Sequence, residues 1–249
     1  MKKLIVLILA LSSAYSFGLT KEEATAHAMA RIEKLNTLID QNPIEYFNGF
    51  DLFLDPITFI SDKKNIDFIY YQSFFCFQLI DWTIIKNCLQ NPELTIADAQ
   101  EEIIQFHKNT DRIKAFKKEA DQLTSCTLDS IYAMTTSDEI SSYLWENMRT
   151  PKNDCDDFLE EMSQHIDLDT ASYLDIFTNK NLINTLINNS LMVFQNTNSG
   201  IINSCILDSD LSLNKSIDIL NAVDFIFAVV MDGKQQSDIL TQEILKDIQ

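Results

Sequence analysis

Glycine and proline are scarce in this chain, and their scarcity limits the folds open to it. Only four glycines and four prolines occur among 249 residues, against the roughly 7% and 5% usual in globular proteins. Phosphate-binding loops and tight β-hairpins need glycine where φ is positive or where backbone approaches a ligand. The glycines here stand singly. The sequence therefore predicts an all-α fold, an irregular multi-helix bundle.

The charge balance argues against one large class of partners. The chain has 19 basic and 37 acidic residues, a formal net charge of −18. Nucleic-acid binding requires clustered Lys and Arg that displace counterions from phosphate. We therefore expect no nucleic-acid partner. Such acidity suits solubility, association with cations or a basic partner.

The amino-terminal segment has the layout of a secretory signal peptide. A basic start at residues 1–3 precedes an apolar run at residues 4–11 and a small, polar stretch at residues 12–16. Eight apolar residues are too few to cross a hydrocarbon core of about 30 Å. The sequence predicts removal of residues 1–16, a single helical domain over residues 17–249, and a secreted or lumenal location (extracellular space, secretory pathway or periplasm).

Export makes the five cysteines disulfide candidates, because disulfides persist in oxidising compartments. Equal spacing predicts two bridges, Cys76–Cys126 and Cys155–Cys205, since each pair is 50 residues apart. Cys88 is then the odd cysteine. We expect it to be a buried thiol or the link between two copies of the chain.

The two cysteine pairs are offset by 79 residues, which suggests a weak internal duplication. At that offset the hexapeptide at residues 125–130 (SCTLDS) aligns with residues 204–209 (SCILDS). The predicted repeat units are about 62–140 and 141–219, giving two similar helical lobes. The alternative is chance similarity between helical sequences that share apolar periodicity.

Helix boundaries are marked by capping and breaking residues. Thr20 with Glu23 forms a capping box, and a second helix is predicted to start at Thr95. Residues 196–200 are predicted to form a polar loop. Gly233 is predicted to end a helix and Ser237 to cap the last one. These signals give eight to ten helices in all.

The most apolar segment of the mature chain is residues 66–89. A membrane span there is disfavoured, because Asp67 and Asp81 lie within it and each costs about 2.5–3.5 kcal/mol at a bilayer centre. We expect a central helix of the bundle and no span in the mature chain. Its aromatic residues are candidates to line an apolar ligand cavity, and a well-filled core is the alternative: Phe68, Tyr71, Phe74, Phe75 and Trp82.

No motif marks a catalytic, cofactor or metal site. The pairs Glu23/His27 and Glu161/His165 each lie on one helix face, and a solvated face with a weak local ion pair is the favoured interpretation. Acidic stretches resembling calcium loops lack the required Gly and Glu. One basic stretch is read as a solvated helix face, with a docking face for an acidic partner as the alternative: Lys108, Arg112, Lys114, Lys117 and Lys118.

Three functions remain open from the sequence. The first is an exported, non-enzymatic binding protein for an apolar ligand or a protein partner. The second is an acidic structural protein of a lumen, granule matrix or extracellular space with low-affinity cation binding. The third is an exported enzyme with an unmarked site. Asn188 and Asn214 lie in glycosylation sequons, for use in a eukaryotic host.

Overall fold

The computed structural model describes residues 20–40, 56–148, 160, 162–164, 179–207 and 212–248. Within those ranges seven helices have defined bounds and no strand occurs, which confirms the all-α prediction. The helices are α1 (Lys21–Asp40), α2 (Pro56–Ser61), α3 (Lys63–Gln90), α4 (Ile96–Ile131), α5 (Ser137–Met148), α6 (Lys180–Leu207) and α7 (Leu213–Ile248). The predicted signal peptide lies outside the described residues.

Reciprocal hydrogen bonds start α1 and α4 where the sequence predicted. The backbone N–H of Thr20 donates to Glu23 Oε2 (2.9 Å), and the backbone N–H of Glu23 donates to Thr20 Oγ1 (3.3 Å). Thr95 and Asp98 exchange the same two bonds at the start of α4, at 2.6 and 3.3 Å. Both predicted helix starts are therefore confirmed.

Three predicted helix breaks are wrong. Helix α6 continues through residues 196–200, and α7 continues through Gly233 and Ser237. No described glycine has a positive φ, so neither Gly200 nor Gly233 has the conformation that ends a helix. Gly233 instead lies against the backbone of Tyr70, and the Ser237 hydroxyl accepts a hydrogen bond from Gln78. In each case the residue serves packing within a helix.

The chain divides into two compact units. Of the described residues, unit 1 comprises 20–40, 62–107 and 226–248, and unit 2 comprises 56–61 and those between 108 and 225. Helices α4 and α7 therefore contribute residues to both units. Helix α1 packs against α3 in unit 1, and α5 packs against α6 in unit 2. The single domain predicted for residues 17–249 stays a prediction.

The long helices recur at one constant offset. Helices α3 and α6 both have 28 residues and start at residues 63 and 180, while α4 and α7 both have 36 residues and start at 96 and 213. Both pairs of starts are 117 residues apart. Asp62 caps α3, and Asn179, at the equivalent position, caps α6. Eight of the 28 residue pairs and six of the 36 are identical at this offset.

The packing of the shorter helices agrees with the same repeat. Helix α1 stands before α3 as α5 stands before α6, and each packs on the long helix that follows. A reciprocal threonine–glutamate cap also precedes α5, between Thr136 and Glu139. The helices thus define a tandem repeat in which α5, α6 and α7 correspond to α1, α3 and α4. The duplication predicted at an offset of 79 stays a prediction.

Each unit has its own buried core. In unit 1 the Trp82 indole is fully buried, with the ring of His27 at 5.7 Å and the guanidinium of Arg31 at 4.7 Å from its ring centre. Burial lowers the pKa of Arg31 to about 10. The core of unit 2 contains Ile131, Leu144, Met148, Ile202 and Leu220. Among the described helices, none is both long and apolar enough to cross a membrane.

Candidate metal centre

Three helices of unit 1 bring two carboxylates and an imidazole together. Asp81 lies on α3, His107 on α4 and Asp238 on α7. His107 Nε2 is 3.0 Å from Asp238 Oδ1 and 3.4 Å from Asp81 Oδ1. One donor atom from each residue lies within 4.8 Å of the other two. These atoms form the only such group of three found in the part of the chain that the structure describes.

Each carboxylate has one oxygen held by a neighbour and the other directed at the imidazole. The Thr241 hydroxyl donates to Asp81 Oδ2 at 2.6 Å, and Lys234 forms an ion pair with Asp238 Oδ2. Asp81 Oδ1 and Asp238 Oδ1 are buried and accept no hydrogen bond from the described residues. We refer to Asp81, His107, Lys234, Asp238 and Thr241 as the unit 1 cluster.

A second layer of hydrogen bonds fixes the direction of the Thr241 hydroxyl. Gln78 Nε2 lies 2.8 Å from Thr241 Oγ1 and 2.9 Å from both oxygens of Ser237. Because the Gln78 amide donates to Thr241 Oγ1, the hydroxyl proton of Thr241 is directed to Asp81. Trp82 Nε1 donates in turn to Gln78 Oε1 at 3.3 Å. The orientation of the Asp81 carboxylate is therefore set by buried side chains.

The cluster is largely buried, and Asp238 is the most exposed of its three candidate ligands. The side chains of Asp81, His107 and Asp238 are 1%, 12% and 21% exposed. Burial raises the pKa of Asp238, against the opposing effects of the Lys234 hydrogen bond and the His107 charge. Two carboxylates and one ammonium leave a net negative charge when His107 is neutral, which is compatible with binding of a further cation.

Two of the three donor separations fit a metal ion. Nitrogen and oxygen ligands bind first-row divalent ions at about 2.0–2.2 Å, which places neighbouring ligand atoms about 2.8–3.1 Å apart in octahedral geometry and about 3.3–3.6 Å apart in tetrahedral geometry. The distances from His107 Nε2 to the two aspartates, 3.0 and 3.4 Å, lie in these ranges. One imidazole proton can satisfy only one of the two carboxylate oxygens, whereas a cation satisfies both. The three residues therefore suit coordination of a metal ion.

Unit 2 contains a polar cluster built from equivalent positions. Lys117 pairs with Asp121 and Asp224, and its side chain is only 5% exposed. Asn198 Nδ2 donates to Thr124 Oγ1 at 2.9 Å and to Asp121 Oδ1 at 3.3 Å. We refer to these five residues as the unit 2 cluster. Burial of Lys117 is an exception to the solvated face predicted for the basic stretch.

The two clusters correspond residue by residue at the offset of 117. The lysine, the aspartate four residues later and the threonine three residues after that are the same in both clusters: Lys117, Asp121 and Thr124 correspond to Lys234, Asp238 and Thr241. The other two positions differ. Asn198 stands where unit 1 has Asp81, and Asp224 stands where it has His107. Among the described residues, no buried side-chain polar atom of the unit 2 cluster lacks a hydrogen bond.

The aromatic residues predicted to line a ligand cavity lie on α3. Phe75 and Trp82 are buried, while Phe68, Tyr71 and Phe74 are partly exposed. Phe75 stacks with Tyr71 at 6.5 Å and meets Phe74 edge-on at 5.6 Å between ring centres. These contacts place them against one another along the helix. A cavity lined by them stays a prediction.

The described cysteines are thiols. Cys76 is partly buried, Cys88 and Cys205 are buried, and Cys126 is exposed, and none of the four is in a disulfide. The predicted Cys76–Cys126 bridge is therefore not formed in this structure, in which Cys76 belongs to unit 1 and Cys126 to unit 2. Burial also raises the pKa of Cys76. Cys155, the proposed partner of Cys205, lies outside the described residues.

The remaining candidates are dispersed. Asn188 is exposed on α6, and Asn214 is exposed on α7, with its amide oxygen 3.5 Å from the Tyr132 hydroxyl. His27 packs on Trp82, whereas Glu23 bonds to Thr20, so this pair does not form a site. Glu161 and His165 lie outside the residues whose side chains are described.

The sequence reasoning missed the unit 1 cluster, although one signal pointed to it. Gln78 and Asp81 are polar residues three apart in an apolar helix. Lys234, Ser237 and Thr241 recur at the same helical spacing near the other end of the chain. Polar residues on an apolar helix face must be hydrogen-bonded to one another or to a ligand. That requirement identifies the polar faces of α3 and α7. It does not identify His107, which contacts an aspartate on each of them.

The fold and the site define an all-helical protein with a buried Asp–His–Asp cluster. No family model matches the chain, and neither a curated protein nor a solved structure is detectably similar to it.

Proposed function

We propose that this protein is an exported, acidic, helical binding protein whose ligand is a first-row divalent cation held by Asp81, His107 and Asp238. The observation that carries the proposal is the convergence of Asp81 Oδ1, Asp238 Oδ1 and His107 Nε2 within 4.8 Å. The two carboxylate oxygens are buried there without a hydrogen-bond donor of good geometry among the described residues. A bound cation would remove that cost.

The ligand set favours a transition-metal ion over calcium or magnesium. Imidazole suits zinc, copper, iron and nickel, whereas the oxygen-only sets of calcium and magnesium contain no nitrogen. Each carboxylate offers one oxygen, since Thr241 and Lys234 hold the others. Three protein ligands leave at least one coordination position for water. We expect Zn²⁺ to bind, and also Mn²⁺, because two of the three ligands are carboxylates, which suit that ion.

The other parts of the function rest on the sequence. The signal-peptide pattern of residues 1–16 supports export, and amino-terminal sequencing of the secreted protein tests it. The proposed cation narrows the binding-protein prediction to one class of ligand. An apolar ligand, a protein partner and a link between copies through Cys88 stay predictions, as do a cation-condensing structural protein and an exported enzyme. Cys88 is only 3% exposed, which disfavours a bridge to a second copy.

Metal binding is tested on the full mature chain after removal of metal with a chelator. Titrations with ZnCl₂ and with MnCl₂, monitored by isothermal calorimetry, should show one ion bound per chain. Elemental analysis of the dialysed protein should give the same number. Asp81→Asn removes one ligand charge and should weaken binding by more than about tenfold. Asp232→Asn, an exposed change on the same helix as Asp238, should bind as the wild type does.

A second variant tests the Thr241 hydroxyl, which orients the Asp81 carboxylate. Thr241→Val keeps the side-chain shape but removes the donor to Asp81 Oδ2. Loss of such a supporting hydrogen bond should weaken metal binding about tenfold to a hundredfold. The proposal fails if the wild type retains neither ion, or if Asp81→Asn, folded by circular dichroism, binds as tightly as Asp232→Asn.

A further inference from the structure

We infer that the residues at two positions, 81 and 107, determine which of the two clusters takes a metal ion. The inference rests on the proposed function and concerns its specificity. In this interpretation the unit 2 cluster is the same site with a built-in cation, the ammonium group of Lys117. The residues equivalent to 81 and 107 there, Asn198 and Asp224, make it unsuitable for a metal.

The first argument is the position of the lysine. Lys117 Nζ contacts both Asp121 Oδ1 and Asp224 Oδ1, so one ammonium joins the two carboxylates. In unit 1 the equivalent of Asp224 is His107, whose imidazole carries no negative charge to attract the ammonium. Lys234 accordingly pairs with Asp238 Oδ2 and leaves Oδ1 facing the imidazole.

The second argument is the direction of the threonine hydroxyl. In unit 1 the Thr241 hydroxyl donates to Asp81 and leaves Asp81 Oδ1 available. In unit 2 the amide of Asn198 donates to Thr124 Oγ1, and the Thr124 hydroxyl donates to the backbone oxygen of Ala120. An asparagine thus reverses the bond, and its amide hydrogens point toward Asp121, where a metal would need an acceptor.

An exchange of these positions leaves the net charge of the unit 2 cluster unchanged. Asn198→Asp adds one negative charge, and Asp224→His removes one when the imidazole is neutral. Lys117, Asp121 and Thr124 already match their counterparts. The double variant Asn198→Asp/Asp224→His therefore reproduces the residues of the unit 1 cluster without altering unit 1.

The test measures how many ions each full-length protein retains from ZnCl₂. We expect one ion for the wild type, two for Asn198→Asp/Asp224→His and none for the reverse exchange, Asp81→Asn/His107→Asp. If the wild type binds one ion, the reverse exchange binds none and the folded unit 2 variant still binds one, this inference is overturned and the proposed function stands. If the wild type binds none, the proposed function fails and the inference fails with it.

A measurement without metal keeps the inference testable if the unit 2 variant does not fold. Asp81→Asn/His107→Asp gives Lys234 a second carboxylate, as Lys117 has, so its thermal midpoint in chelator should lie near that of the wild type. Asp81→Ala/His107→Ala provides no such partner and should melt at a clearly lower temperature. Equal midpoints for these two double variants would overturn the inference.

Discussion

Gly233 lies against the backbone of Tyr70, so closely that a methyl group on Gly233 would come within 2.7 Å of the Tyr70 carbonyl oxygen. It would also lie 3.0 Å from Ser73 Cβ and 3.1 Å from the Phe74 nitrogen. Two of these three neighbours are backbone atoms, which cannot move aside as a flexible side chain can. The glycine therefore permits α7 to approach α3 within unit 1.

The two helical glycines should respond in opposite ways to alanine. Gly233→Ala forces the helices apart and should lower the free energy of unfolding by about 2 kcal/mol. At Gly200 a new Cβ meets no atom within 4 Å, so Gly200→Ala should raise that free energy by about 0.5–1 kcal/mol through helix propensity. Urea unfolding followed by circular dichroism measures both. Similar changes in the free energy of unfolding for Gly233→Ala and Gly200→Ala would contradict the close approach of α7 to α3.

Removal of the buried ammonium should destabilise the unit 2 cluster. Lys117→Met leaves Asp121 and Asp224 without their cation, but these carboxylates are 34% and 44% exposed and can be hydrated. We expect a loss of about 2 kcal/mol, below the ~3–5 kcal/mol typical of a fully buried pair. Lys118→Met, at the exposed neighbour, should change stability by less than about 0.5 kcal/mol. Chemical denaturation of both variants measures these losses. Equal losses of stability in Lys117→Met and Lys118→Met would argue against a stabilising pairing of Lys117 with Asp121 and Asp224.

His27 should make stability sensitive to mild acid. Burial and the charge of Arg31 lower the pKa of His27 below its ordinary value of 6.5. The folded chain then binds the proton less readily than the unfolded chain, so stability is fully present above about pH 6.5 and is lost as the pH falls toward the lowered value. His27→Gln should flatten the stability curve between pH 6.5 and 5 in chelator. If stability depended on pH in the same way in the wild type and in His27→Gln, the lowered pKa of His27 would be contradicted.

The cap of α6 should matter for stability in its own right. Asn179 Oδ1 accepts hydrogen bonds from the backbone N–H groups of Asn181 and Leu182, both at 3.1 Å. Asn179→Ala should cost about 1 kcal/mol, as loss of an N-cap does. Asn181→Ala, exposed within the first turn, keeps the cap and is the control. In thermal unfolding, Asn179→Ala should have a lower midpoint than Asn181→Ala. Equal midpoints for the two variants would rule out the cap.

Local sequence signals predicted where helices begin better than where they end. Thr20 and Thr95 started helices as expected, because each cap depends on residues three positions apart. Gly233 and Ser237 were misread as a helix end and a new start. Their roles depend on Tyr70 and Gln78, more than 150 positions away along the chain, which local patterns do not register.

The metal centre was beyond the reach of sequence patterns for a similar reason. Asp81, His107 and Asp238 come from three helices, and no two of them are spaced as ligands on one helix face would be. Lys117 was assigned to a solvated face because its neighbours are basic, whereas Asp224, its partner, lies 107 positions away. Among these sequence patterns, only the 117-residue repeat relates Lys117 of the unit 2 cluster to Lys234 of the unit 1 cluster.

The division of α4 and α7 between the two units has a consequence for the order of synthesis. Unit 2 ends at residue 225, whereas unit 1 requires residues 226–249. The ribosome therefore finishes the sequence of unit 2 first, although unit 1 contains the earlier helices. At about 5–20 residues per second, α3 waits on the order of ten seconds for the segment of α7 that covers its polar face. During that interval the polar face of α3, which carries Gln78 and Asp81, has not yet met the segment of α7 that contacts it in the finished protein.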